Sequence, residues 1–163
     1  MTSAQQRVTR PMAVPNRGVR RWEKLLGRPP RMLVVEDDPG ILTSVLNWFE
    51  YDGWEVKGAD DGSAFFKFVE DAIVEHSEEL YFDLIITDIC MPGLDVLAIL
   101  EGLRVSGNPT PFVVISALPD PQLPRRVADL GGAQFFRKPF QLSKINQTVR
   151  RLLMASLDDK TIH

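Results

Sequence analysis

Five short apolar runs, Met32–Val35, Trp54–Gly58, Leu84–Thr87, Phe112–Ser116 and Gln134–Arg137, recur along the chain with helix-spaced segments between them. Runs with so little polar alternation suit strands buried on both faces, as in a parallel sheet. Parallel neighbours cannot be joined by a tight hairpin, so each pair needs a helical crossover of a dozen or more residues. The intervening segments supply them. Asp38 is a predicted N-cap with Pro39 at the first helical position. Ile41, Val45, Trp48 and Phe49 then form one stripe, and the helix stops before Gly53. Residues 63 to 80 carry Phe65, Phe66, Phe68, Val69, Ala72 and Ile73 at helical spacing and end in Glu75, Glu78 and Glu79. A last helix, predicted to end near Met154, repeats the pattern with Leu142, Ile145, Val149, Leu152 and Leu153. The alternation predicts an α/β fold: one doubly wound, five-stranded parallel sheet with helices on both faces.

A chain of 163 residues can bury one sizeable core and is too short for two ordinary domains. No apolar run reaches the roughly 18 to 20 residues that span a bilayer, so no membrane insertion is expected. The one cysteine, Cys90, excludes an internal disulfide, and a cytoplasmic, reducing compartment is expected. Charge is uneven. Residues 1 to 31 hold Arg7, Arg10, Arg17, Arg20, Arg21, Lys24, Arg28 and Arg31 against the single acid Glu23, a net +7, which leaves −10 on the rest. With Pro11, Pro15, Pro29 and Pro30, residues 1 to 30 are predicted to be a basic, mobile arm. One or two helical turns at Arg20–Leu26 would put Trp22, Leu25 and Leu26 on one side. The domain is predicted over 31–155, with a short polar tail at 156–163.

Doubly wound sheets bind ligands outside the carboxyl ends of their strands. Those ends carry Glu36, Asp37 and Asp38 after the first strand, Asp88 after the third, Ser116 on the fourth and Lys138 after the fifth. Each has an ordinary role open to it: a helix cap, a turn residue, a fraying strand end, a solvated charge. Asp38 alone satisfies the cap, so Glu36 and Asp37 are surplus to it. Two carboxylates about 4 Å apart repel by roughly 4 kcal/mol at an effective dielectric near 20. Such a rim raises a carboxyl pKa or recruits a divalent cation. Oxygen-only ligands suit Mg²⁺, or Mn²⁺, better than zinc. An aspartate beside a cation, a lysine and a hydroxyl can attack a phosphoryl group and form an acyl phosphate. Neither GxGxxG nor GxxxxGK[ST] occurs, which disfavours a nucleotide-binding kinase or P-loop enzyme.

LVVEDDP (33–39), DLIITDICMPGLD (83–95), VVISA (113–117) and GAQFFRKPF (132–140) resemble the motifs of the receiver domain of two-component response regulators. The resemblance covers about Arg31 to Leu153 and implies a flavodoxin-like strand order, 2-1-3-4-5. It implies that Asp88 accepts a phosphoryl group from a histidine kinase or histidine phosphotransfer protein. Glu36, Asp37, Asp88 and the main-chain carbonyl of Cys90 would hold Mg²⁺, and Lys138 and Ser116 would contact the phosphoryl group. Phe135 would follow Ser116 in a switch, and the bond before Pro139 would be cis. A downstream protein would read the face built from the fifth strand and the helices on either side of it. The resemblance further implies a phosphoprotein in a phosphorelay and not an enzyme in the ordinary sense. With about nine polar residues after Met154, a stand-alone receiver is expected.

Several positions depart from the family pattern. Val96 follows Asp95 where glycine is usual, and the segment from Gly62 to Phe82 is long. Pro119, Pro121 and Pro124 should delay the next helix until about Pro124. Cys90 and Leu118, two residues beyond Asp88 and Ser116, are poor at orienting water, which predicts a long-lived phosphorylated state. As an alternative, the basic arm could bind nucleic acid or an acidic surface under control of the domain.

Overall fold

The computed structural model describes residues 17–74 and 82–161. Its elements run α1 (Arg17–Leu26), β1 (Arg31–Val35), α2 (Pro39–Tyr51), β2 (Glu55–Ala59), α3 (Gly62–Val74) and β3 (Leu84–Asp88). They continue with α4 (Val96–Val105), β4 (Phe112–Ser116), α5 (Leu123–Asp129), β5 (Ala133–Arg137) and α6 (Leu142–Thr161). The five strands form one sheet of order β2-β1-β3-β4-β5, with every neighbouring pair parallel. Fold class and strand order are those expected from the sequence.

Side chains alternate across a strand, so each strand feeds two cores. Met32, Val34, Leu84, Ile86, Val113 and Ile115 meet Val45 and Phe49 of α2 and Ile145, Val149 and Leu153 of α6. Leu33, Val35, Ile85, Phe112 and Val114 meet α3, α4 and α5 through Phe65, Leu100 and Val127. All five residues of β3 and of β4 are buried, whereas the edge strands β2 and β5 are partly exposed. The central strands are therefore held from both sides. Asp88, the last residue of β3, inherits that rigidity.

The Asp38 cap is as expected: its Oδ1 accepts the Ile41 N–H at 2.9 Å, with Pro39 opening the helix. Trp48 does not share the buried stripe of Val45 and Phe49 and is 39% exposed. It lies about 100° around the helix from Phe49. The prolines act as predicted on α5, which is only seven residues long and begins at Leu123 with proline in its first turn. α3 is described to Val74, and the acidic end expected at Glu75, Glu78 and Glu79 lies outside the described residues.

The predicted ends of the domain both move outward. α6 runs to Thr161 and not Met154, because Leu157 extends the i+4 series of Ile145, Val149 and Leu153 onto the same core. At the other end, residues expected in a mobile arm are packed. Trp22 of α1 is 1% exposed, edge-to-face with Trp54 at 6.0 Å between ring centroids, and Trp54 meets Phe49 likewise at 5.9 Å. Leu25, expected beside Trp22, faces out. Arg28 donates two hydrogen bonds to the buried Asp83, at 2.7 and 3.0 Å, and the Arg31 backbone N–H adds a third at 2.7 Å. Among the described residues, no helix is long and apolar enough to cross a membrane.

Candidate functional site

Past the end of β1, the Glu36 N–H bonds the Ala59 carbonyl at 3.0 Å, so the chain stays aligned with β2 for one more residue. This drives the Glu36 side chain into the protein, where it is fully buried. Its Oε1 accepts the Asp38 N–H at 3.1 Å. Asp37 is exposed at the rim. Asp88 is 2% exposed and its Oδ1 accepts the Cys90 N–H at 2.7 Å. The Thr87 hydroxyl donates to the Asp88 carbonyl at 2.7 Å, which fixes the strand tip from below.

Lys138 reaches in from the end of β5. Its Nζ donates to Asp88 Oδ2 at 2.5 Å and lies 2.8 Å from Glu36 Oε2. The second contact is an ion pair off the hydrogen-bond direction, so Glu36 Oε2 remains buried without a directed partner. The peptide bond before Pro139 is cis, as expected, and the Lys138 N–H bonds the Ser116 carbonyl at 2.9 Å. Ser116 is fully buried, its Oγ accepting the Leu118 N–H at 3.0 Å and lying 3.4 Å from Cys90 Sγ.

Burial raises the Glu36 pKa, the Asp88 charge adds to this, and Lys138 and the Asp38 N–H oppose it. For Lys138, burial works against the ammonium, but its hydrogen bond to Asp88 and its ion pair with Glu36 outweigh that and raise its pKa. Carboxylate oxygens of Glu36, Asp37 and Asp88 lie within 4.8 Å of one another. Three acids against one ammonium leave a formal charge of −2. With an oxygen-only donor set and one buried carboxylate oxygen lacking a directed bond, the residues fit a hard divalent cation.

Glu36, Asp37, Asp88, Lys138, Ser116 and Cys90 are thus brought to one rim. Phe135 stands apart, half-buried on β5 against the core shared with α3, α4 and α5. Asp38 is occupied by its cap. Val96, standing where a glycine was expected, is 1% exposed in the core, and Asp95 caps α4 through the Ala98 N–H at 3.1 Å. Gly93, with φ +75°, turns the chain between the rim and that cap. No local spacing singles out Arg137, whose Nη1 donates to the Leu118 carbonyl at 2.6 Å. Its place opposite Ser116 becomes visible only once β4 and β5 are paired. Beside the rim, a cleft of about 840 Å³ is bordered by Ile41 and Ser44 on one side and by Lys138, Phe140 and Leu142 on the other.

Comparison with known proteins agrees with this geometry. The family model described as "Response regulator receiver domain" matches residues 32–150. Transcriptional regulatory protein PrrA of Mycobacterium leprae is 34% identical over 126 residues, covering 76% of this chain and 50% of that protein. Transcriptional activator protein PfeR of Pseudomonas aeruginosa is 35% identical over 124 residues, covering 76% of this chain and 38% of that protein. The chain spans about half the length of the first curated relatives it matches. Among solved structures, the receiver domain of the Francisella response regulator 1452 aligns with a TM-score of 0.63 at 26% identity, over 78% of this chain and 98% of that one. A five-stranded parallel sheet in the order 2-1-3-4-5, an acidic rim at its carboxyl end and a family match across both place this chain in the response regulator receiver family, whose business is phosphorylation-based signal transduction.

Proposed function

We propose that the domain accepts a phosphoryl group on Asp88 from the phosphohistidine of a histidine kinase or histidine phosphotransfer protein in the cytoplasm, and signals through protein contacts. The observation that carries this is a rigidly held carboxylate at a strand tip, bonded to Lys138 and clustered with Glu36 and Asp37. In the step itself an Asp88 oxygen attacks phosphorus, the P–N bond breaks, and its electron pair stays on the imidazole. An acyl phosphate results. Lys138 offsets charge on the transferring oxygens, and placement of the reactants supplies most of the rate. Glu36, Asp37, Asp88 and the Cys90 main-chain carbonyl are the residues to hold Mg²⁺, or Mn²⁺ in its place, which when bound neutralises the phosphoryl oxygens. The cleft bordered by Ile41, Ser44, Lys138 and Phe140 opens beside the rim, on the side from which a partner would bring its phosphohistidine to Asp88. Once Asp88 is modified, Ser116 turns toward the new oxygens and Phe135 follows, altering the face of α5, β5 and α6. Nucleic-acid binding by the N-terminal cations has less support, since Arg28 and Arg31 pair with Asp83 and Glu55.

Intact-mass analysis after incubation with a small phosphodonor and Mg²⁺ tests the reading: the protein should gain one phosphoryl group. No gain under conditions that label a control receiver would overturn it. Mg²⁺ alone, at about 100 times its Kd, should stabilise the fold by roughly 2.7 kcal/mol. Asp37→Asn should lose most of that gain, and paired thermal melts with and without Mg²⁺ measure both. Cys90 and the half-exposed Leu118 offer little to orient an attacking water. The purified phosphoprotein should therefore keep its label for hours, and loss within minutes would refute this.

A further inference from the structure

Pro119 and Pro121 have no backbone N–H, so the chain between β4 and α5 cannot build a ladder of its own. Side chains hold it instead. The Leu118 N–H bonds Ser116 Oγ at 3.0 Å, and the Leu118 carbonyl accepts Arg137 Nη1 at 2.6 Å. Arg137 stands opposite Ser116 in the β4–β5 register, and its guanidinium lies over the Phe135 ring, 5.8 Å from the centroid. Phe135 and Arg137, two apart on a strand, share one face of the sheet. A continuous path therefore runs from Ser116 through Leu118 and Arg137 to Phe135.

The Ser116 hydroxyl is engaged by the Leu118 N–H and the Cys90 thiol, and neither partner is Asp88. To reach a phosphoryl oxygen on Asp88 it must leave that setting, and Leu118 must shift with it. The charged bond from Arg137 opposes the shift. We propose that Arg137 is a positioning residue that holds the Ser116–Leu118 segment in its unphosphorylated arrangement and ties that segment to Phe135. The inference rests on Asp88 being the phosphoryl acceptor. Arg137 touches none of the reacting groups, and its effect falls on the balance between two loop arrangements. Because the bond is exposed, the effect should be modest.

The test is a titration of the full chain with beryllofluoride, a stable mimic of the aspartyl phosphate, in saturating Mg²⁺. Wild type, Arg137→Ala and Arg137→Lys are compared by the backbone amide signals of Ser116 and Leu118. Arg137→Ala should bind the mimic about three- to tenfold more tightly. Its affinity for Mg²⁺ without beryllofluoride should not change, which a general loosening of the fold would not produce. Arg137→Lys should fall between the two, since an ammonium can reach the Leu118 carbonyl but cannot overlie the ring as a plane. Unchanged or weakened binding by Arg137→Ala, beside a normal wild-type response, overturns the inference alone. A wild type that does not respond overturns the acceptor reading and this inference with it.

Discussion

The Asp88→Asn protein takes up no phosphoryl group: its intact mass is unchanged after treatment with a small phosphodonor and Mg²⁺, while wild type gains one. An amide oxygen is too weak a nucleophile to attack phosphorus. It still accepts the Cys90 N–H that wild-type Asp88 bonds at 2.7 Å, so the strand tip keeps its shape. With its oxygen kept on the Cys90 N–H, the amide turns its NH2 toward the Lys138 ammonium, donor against donor. The substitution lowers the rim's formal charge from −2 to −1, which weakens cation binding as well as removing the nucleophile. Uptake of a phosphoryl group by the folded variant would move the acceptor to another residue.

Trp22→Ala has the largest expected effect on stability, about 3–5 kcal/mol. The change would empty a fully enclosed site against Trp54 in the core shared by α2 and α6. Unfolding in urea should show the loss, with a fall in Tm of roughly 10 °C. Trp22→Phe provides the discriminating comparison. The indole N–H of Trp22 is buried without a partner, so phenylalanine keeps much of the ring while removing an unsatisfied donor. It should cost well under half of the alanine loss. A change below about 1 kcal/mol for Trp22→Ala would mean that α1 contributes nothing to the fold. The packing also bears on tests of the basic segment. Deletion of residues 1–28 would strip both Trp22 and the Arg28 partner of buried Asp83, so a nucleic-acid assay needs the shorter deletion of residues 1–16.

The centre of the sheet was legible because β3 and β4 are buried on both faces, and such strands appear as uninterrupted apolar runs. β3 and β4 were read nearly to the residue for that reason. The site was legible because the fold rule assigns ligands to strand ends, and Glu36, Asp88, Ser116 and Lys138 are each at or just past such an end. What could not be read depends on pairing. Trp22 looked like one hydrophobe in a proline-rich, basic segment, and only Trp54 and Phe49 in space give it a core to enter. The Arg28–Asp83 pair joins residues 55 apart, with no local spacing to announce it. Arg137 resembled any edge-strand charge until the register set it opposite Ser116. The outer end of α6 was a different kind of miss. Leu157 continued a visible series, and the polar residues around it concealed the signal.

The three tryptophans divide the molecule optically. Trp22 and Trp54, 1% and 4% exposed, sit together in the core, whereas Trp48, 39% exposed, sits on α2 beside the groove of Ser44, Tyr51 and Asn146. A water-borne collisional quencher such as iodide can reach Trp48 and not the other two. Quenchable emission would then report what docks along α2, and the protected remainder would report whether the core is intact. Occupancy and unfolding could be followed separately in one unlabelled sample.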